Sequence, residues 1–213
     1  MAASPNAREI MLRRIRKALS RPLPAPFLSH ETQGEVYPQP SDDLSVIFAT
    51  EFTRLLGRFS YCADEGELCS HLEALQRERS WASVYCRDEA ILSLLERNGM
   101  GHFPSTDDLM DCDASLTRCE ALVARTGSML LSSAQTQGRT SSVYAPIHVC
   151  IAWTSQLVYD ISDAIALMKS KYGTALPSAM SLATGPSRTA DIEKTLVVGV
   201  HGPKEVYCFL VED

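Results

Sequence analysis

From about residue 42 onward the chain alternates between apolar stripes at helical spacing and short apolar runs, and this alternation restricts the fold more than any other feature. Leu44, Ile47, Phe48, Phe52, Leu55 and Phe59 recur at three- and four-residue steps, the mark of a helix with one buried side. A short strand is predicted around Tyr61, Cys62 and Ala63, and Leu68, Leu72 and Leu75 restore the helical step. Residues 82–86 read as a strand, and Ile91, Leu94 and Leu95 as another helix. Strands separated by helices of this length argue for βαβ units. The expectation is an α/β fold: an open, mostly parallel sheet with flanking helices over residues 43–213, preceded by an N-terminal helix and linker over residues 1–42.

The first 21 residues have a different character. After Ser4 and Pro5, the residues Met11, Ile15, Ala18 and Leu19 form a one-sided apolar stripe, and Pro22, Pro24 and Pro26 end the pattern. Six cations (Arg8, Arg13, Arg14, Arg16, Lys17 and Arg21) stand against Glu9, giving +5, while the whole chain carries −6, so the remainder is −11. An acidic body lacks the clustered Lys and Arg that nucleic acid requires. The basic helix could pack on its own domain, or reach an acidic partner or a second copy of the chain.

Seven cysteines, an odd number with no two in a Cys-x-x-Cys pair, argue against a disulfide framework, a zinc ribbon or an iron–sulfur ligand run. They read as buried or half-buried thiols of a reducing compartment. With no run of ~18 apolar residues to span a membrane and no secretory h-region, the expected location is the cytoplasm.

In the middle of the chain, residues 121–124 and 129–131 are apolar runs split by Thr126, Gly127 and Ser128. A polar stretch containing Gly138 and Arg139 follows, then an apolar run over residues 143–153 broken by Pro146 and His148. These read as adjacent strands whose loops meet at one end of the sheet. Val158, Ile161, Ile165 and Met168 mark a helix, residues 179–183 a short strand, and residues 196–200 and 205–211 the last two strands.

Four segments carry candidate chemistry. In residues 184–193, a Gly-Pro turn leads through Ser187, Arg188 and Thr189 to Asp191 and Glu193, which predicts a strand, a tight turn and a helix start capped by Ser187 or Thr189. Arg188 there either offers a fork to a carboxylate or phosphate, or pairs with one of its own acids. In residues 199–203, His201 and Gly202 form either an anion-contacting loop or a plain inter-strand turn. Thr126, Gly127 and Ser128 either direct backbone N–H groups into a cleft or form a bulge. His148, inside an apolar run, reads as a satisfied core histidine. The chain contains no Walker loop, GxGxxG, HExxH or GxSxG motif, nor an evident metal-ligand spacing.

Together, Arg13 through Leu19, residues 124–128, Pro146 through Val149, residues 184–193 and residues 199–203 resemble the LUD domain family of lactate utilisation. The order Gly-Pro-Ser-Arg-Thr-Ala-Asp-Ile-Glu, then Gly-Val-His-Gly-Pro, is the specific part of the match. The resemblance implies a fold similar to the sugar-phosphate isomerase and CoA-transferase superfamily. It also implies work with iron–sulfur partner proteins that carry the clusters and oxidise L-lactate to pyruvate, with no cofactor in this chain. One departure is Arg125, at a position where the family often has Glu; it puts independent catalysis in doubt or moves the site toward anion binding. Three functions follow: a subunit of a lactate-oxidising assembly, a stand-alone enzyme on a carboxylate, sugar-phosphate or CoA-type ligand, and a sensor of an organic acid. For the second, the expected site gathers Arg188, His201 and the 126–128 loop at the carboxyl ends of the strands.

Overall fold

A computed structural model describes residues 7–20, 37–40, 42–135, 138–189 and 197–213. The chain divides into two compact units, Met1–Gln39 and Pro40–Asp213. The first contributes one helix, α1 (Ala7–Leu19), which carries Arg8, Arg13, Arg14, Arg16 and Lys17 and the Met11–Ile15–Ala18–Leu19 stripe; Arg21 lies outside the described residues.

The second unit begins with α2 (Leu44–Arg54), β1 (Arg58–Cys62), α3 (Glu65–Arg79), β2 (Val84–Tyr85), α4 (Glu89–Arg97), β3 (Ser105–Thr106) and β4 (Ala114–Arg118). A hairpin follows, β5 (Ala121–Val123) and β6 (Ser128–Ser132), joined by a 3-10 turn at Ala124–Thr126. The rest comprises α5 (Ser141–Tyr144), β7 (Ile147–Trp153), β8 (Leu157–Val158), α6 (Ile161–Tyr172), β9 (Met180–Ala183), β10 (Arg188–Thr189), β11 (Val197–Val198) and β12 (Glu205–Val211). Helices α2, α3, α4 and α6 each start at an aspartate, Asp43, Asp64, Asp88 and Asp160, whose carboxylate accepts from a free N–H of the first turn.

The main sheet has six strands in the order β1-β12-β7-β4-β2-β3, with every neighbouring pair parallel. One face of β4, β7 and β12 buries Leu116, Val149, Ile151, Tyr207 and Phe209 against α3 and α4. The other buries Cys150, Ala152, Val206, Cys208 and Leu210 against Phe48 and Phe52 of α2 and Leu122, Met129 and Leu131 of the hairpin. Each fully buried large aliphatic side chain contributes roughly 2 kcal/mol. The hairpin belongs to a second sheet, ordered β8-β5-β6-β9, whose outer face packs Ala121, Val123 and Leu130 on Ala164 and Met168 of α6.

The parallel sheet with flanking helices is as expected from the sequence; several details differ. Of the middle strands, β5 and β6 join β8 and β9 in a mixed second sheet, whereas β7 lies in the first. The stripe that begins at Leu44 ends before Phe59, which lies in β1: Leu56 adopts φ 69°, and the Gly57 N–H closes back on the Phe52 carbonyl at 2.9 Å, stopping the helix. Val158 lies in β8, not in α6. Residues 141–144 make one helical turn, so the long apolar run becomes a strand only from Ile147. Past Gly185 and Pro186, residues 188–189 are strand, and the helix expected beyond them lies outside the described residues. The Ser187 N–H donates to the Pro203 carbonyl at 3.0 Å, the Gly199 N–H donates to the Ser187 carbonyl at 2.9 Å, and Arg188 and Thr189 pair antiparallel with Val198 and Val197. Ser187 therefore does not cap a helix. Asp191 and Glu193 lie outside the described residues.

Candidate functional site

A cavity of about 260 Å³ lies between the amino ends of β7 and β12 and the β6–β9 edge of the second sheet. Its polar groups come from several elements. The end of β6 supplies Ser132 and Ser133; the following loop supplies Arg139; the 185–187 turn supplies Ser187; the 201–203 loop supplies His201 and Gly202. His148, the second residue of β7, lines it together with Val206, its register partner on β12.

The charges are graded. Arg139 and His201 are exposed, whereas His148 is 1% exposed. An Arg139 Nη donates to Ser178 Oγ, which itself sits 3.2 Å from Ser133 Oγ, so the guanidinium is held beside the cavity wall. His148 Nε2 lies 2.8 Å from Thr117 Oγ1 on the neighbouring strand β4, and Nδ1 has no hydrogen-bond partner among the described residues. The histidine is thus buried as expected but only half satisfied. Burial pushes its pKa down to about 4, so the ring is neutral at physiological pH.

Behind Ser132 sits a buried carboxylate that sequence reasoning missed. Glu120 accepts from Ser132 Oγ at 2.5 Å, Lys171 Nζ at 2.7 Å and the Tyr172 hydroxyl at 2.8 Å. Burial alone would raise its pKa, but these three donors outweigh it and hold the carboxyl below its ordinary range. Glu120 thereby anchors the cavity edge of β6 to α6.

Of the expected site residues, the structure brings Arg139, Ser187, His201 and Gly202 to this cavity. It places Thr126, Gly127 and Ser128 in another corner. There Thr126 Oγ1 and Ser128 Oγ are 2.8 Å apart, and Ser128 Oγ and Thr184 Oγ1 are 2.7 Å apart. Gly127 has φ 58° and lies so close to α2 that an added Cβ would stand 2.5 Å from the Phe52 nitrogen. Gly185 has φ 77° and packs as tightly on the Leu55 carbonyl. The 126–128 segment is therefore a packing joint, neither a cleft-facing loop nor a bulge. Arg125 binds Asp160 Oδ2 at 2.7 Å and so ties the 3-10 turn to the cap of α6. Arg188 and Thr189 lie in the β10–β11 ribbon and do not line this cavity. The expected gathering of Arg188, His201 and the 126–128 loop does not occur, and the cavity lies at amino rather than carboxyl strand ends.

A second, more open cavity of about 480 Å³ adjoins the first through Val143, His201 and Gly202, and adds Tyr144 and Lys204. All seven cysteines are buried free thiols. Cys119, Cys150 and Cys208 approach one another on the inner face of the sheet: the bond to Cys150 and burial hold the Cys119 thiol well above the ordinary value, and at Cys150 the bond with Cys119 pulls downward but Cys208 and burial outweigh it. Among the described residues no three His, Cys, Asp or Glu side chains group as a metal site, and no helix is long and apolar enough to cross a membrane.

A parallel six-stranded sheet with this C-terminal half defines the class: the LUD domain model matches residues 105–211, and the chain belongs to that family. Among curated relatives it is similar to Lactate utilization protein C of Bacillus licheniformis, 38% identical over 100 residues, covering 46% of this chain and 42% of that protein. The protein of the same name from Bacillus subtilis is 34% identical over 103 residues, covering 47% and 43%. The chain thus matches less than half the length of these relatives. A crystal structure of a DUF162 family protein from Deinococcus radiodurans superposes with a TM-score of 0.60 over 82% of this chain and 99% of that one, at 17% identity, and supports the fold.

Proposed function

We infer that this chain serves lactate utilisation in the cytoplasm, as a component of a system that oxidises L-lactate to pyruvate beside iron–sulfur partner proteins. Within that system its cavity binds a small carboxylate. The observation that carries the reading is the graded cavity in the matched domain, with an exposed guanidinium and imidazole at the mouth and only neutral polar groups within. Arg139 can take a carboxylate through paired N–H bonds. The names of the relatives direct attention to lactate and pyruvate. The adjoining cavity, lined by Tyr144 and Lys204, favours a second reading in which a larger phosphorylated or CoA-type ligand spans both spaces.

Thermal-shift titration tests the site, because a ligand that binds only the folded state raises its stability. L-lactate or pyruvate should raise the melting temperature of the wild type, and Arg139→Ala should lose the shift while staying folded. A shift seen only with sugar phosphates or CoA esters would move the assignment to the second reading. Normal growth on L-lactate by a strain deleted for this chain would remove the pathway assignment.

A further inference from the structure

Helix α1 takes no part in the cavity or its chemistry. No residue of it is buried, and Met11, Ile15 and Leu19, the large residues of its apolar stripe, are 63%, 47% and 71% exposed. Five cations, Arg8, Arg13, Arg14, Arg16 and Lys17, against Glu9 leave the helix at +4 in a chain that totals −6. The second unit treats its cations differently. There Arg58, Arg79, Arg97, Arg118, Arg125 and Lys171 each stand against a carboxylate. Arg13, Arg14, Arg16 and Lys17 of α1 make no ion pair among the described residues. Four uncompensated cations on a helix with an uncovered apolar stripe fit an occupant that is both anionic and apolar.

The arrangement of the charges narrows that occupant. Arg14 lies three residues after Met11 and four before Ala18; Arg16 lies four after Leu12 and three before Leu19. Residues at those spacings are neighbours on a helix surface, so the two arginines border the stripe on its two sides. Arg13 and Lys17 fill the side opposite. A protein groove presents its carboxylates at fixed places and rewards cations on one rim. Cations on both borders suit a continuous anionic plane: the apolar stripe goes down into it, and the long Arg stems reach along the stripe to the charges. The acidic remainder of the chain does not forbid such contact, because at physiological salt a charge more than about 8 Å from the surface is largely screened.

We propose that α1 is a reversible anchor that lies in the plane of an anionic lipid surface, its stripe at the headgroup–acyl boundary and its cations on the lipid phosphates. A helix of 13 residues does not span a bilayer, so the chain would rest on the surface without crossing it.

Cosedimentation of the full chain with vesicles tests it, using phosphatidylcholine alone and phosphatidylcholine mixed with phosphatidylglycerol. Binding should be at least about tenfold tighter to the anionic vesicles and should fall steeply as salt is raised. Arg14→Gln combined with Arg16→Gln should weaken it about thirtyfold. Ile15→Ser, which leaves the charge unchanged, should weaken it about tenfold. All three positions are exposed in the free chain, so both variants should melt with the wild type. Equal binding to the two kinds of vesicle, binding to neither, or full binding by either variant overturns the anchor. A chain that binds neither vesicle but self-associates in the ultracentrifuge, and loses that association in the same variants, assigns the helix to a second copy and overturns it as well.

Discussion

The corner built from residues 125–128 and 184–185 and the cavity floor around His148 form an instructive pair. Both set small hydroxyl residues and a basic group against apolar strands. In the corner, each of these hydroxyls finds another: Thr126, Ser128 and Thr184 form a chain of contacts at 2.7–2.8 Å, and Arg125 is held by Asp160. Around His148, the hydroxyls of Ser115 and Ser141 and one nitrogen of the ring have no hydrogen-bond partner among the described residues, although they are equally buried. Composition does not separate a packing joint from a binding site here. The balance of donors and acceptors does, because a satisfied polar group is a structural element and an unsatisfied one is a demand on something else.

The largest effect should come from overfilling the joint. Gly127→Ala places a methyl group against the α2 backbone at a φ of 58°, which costs the substitution both space and conformation. Because the obstruction is backbone, no side chain can swing aside. Urea unfolding should show a loss of roughly 3 kcal/mol. A variant as stable as the wild type would mean that the joint is loose, and the contrast with the floor would fail.

The floor should reveal itself through pH. The His148 ring takes a proton near 6.5 when unfolded but only near 4 when buried, so between those values the unfolded state binds more protons. Stability contributed by this group is therefore fully present above pH 6.5 and falls as the solution is acidified toward pH 4, by up to about 3 kcal/mol. His148→Phe should flatten that part of the stability curve, whatever its effect at neutral pH. An identical acid limb in the two proteins would show that the ring is solvated.

How far these regions can be read in the sequence follows from how each is made. Helices α3, α4 and α6 are legible because one-sided burial leaves a helical period in their leucines, isoleucines and methionines. Strands β7 and β12 are legible because both faces are buried and the apolar run is nearly unbroken. Strand β4 was missed: it carries Ser115 and Thr117 on a face that is entirely buried, so its alternation looks like that of a surface segment. The paired strands β10 and β11, two residues each, are too short to mark the chain against the strong capping pattern of residues 184–193. For the cavity, Arg139, Ser187, His201 and Gly202 were legible as loop residues beside strands. The half-satisfied state of His148 was not, because it depends on Thr117, distant in sequence, taking one nitrogen and nothing taking the other.

The smallest effect is also the sharpest test of the comparison, since it sets two buried serines side by side. Ser128→Ala removes a hydroxyl that Thr126 and Thr184 both use, and leaves those two groups to lose a partner; it should cost about 1–2 kcal/mol. Ser115→Ala removes a hydroxyl with no hydrogen-bond partner among the described residues, so the same change should alter stability by less than about 0.5 kcal/mol, or raise it. In a domain of this size the first corresponds to a melting shift of roughly 2–8 °C and the second to almost none. If Ser115→Ala costs as much as Ser128→Ala, its hydroxyl is already engaged, by a water held in the core. If the two separate as expected, Ser115 contributes little to the folded chain, and it is the balance of partners, not burial, that sets what a buried serine is worth.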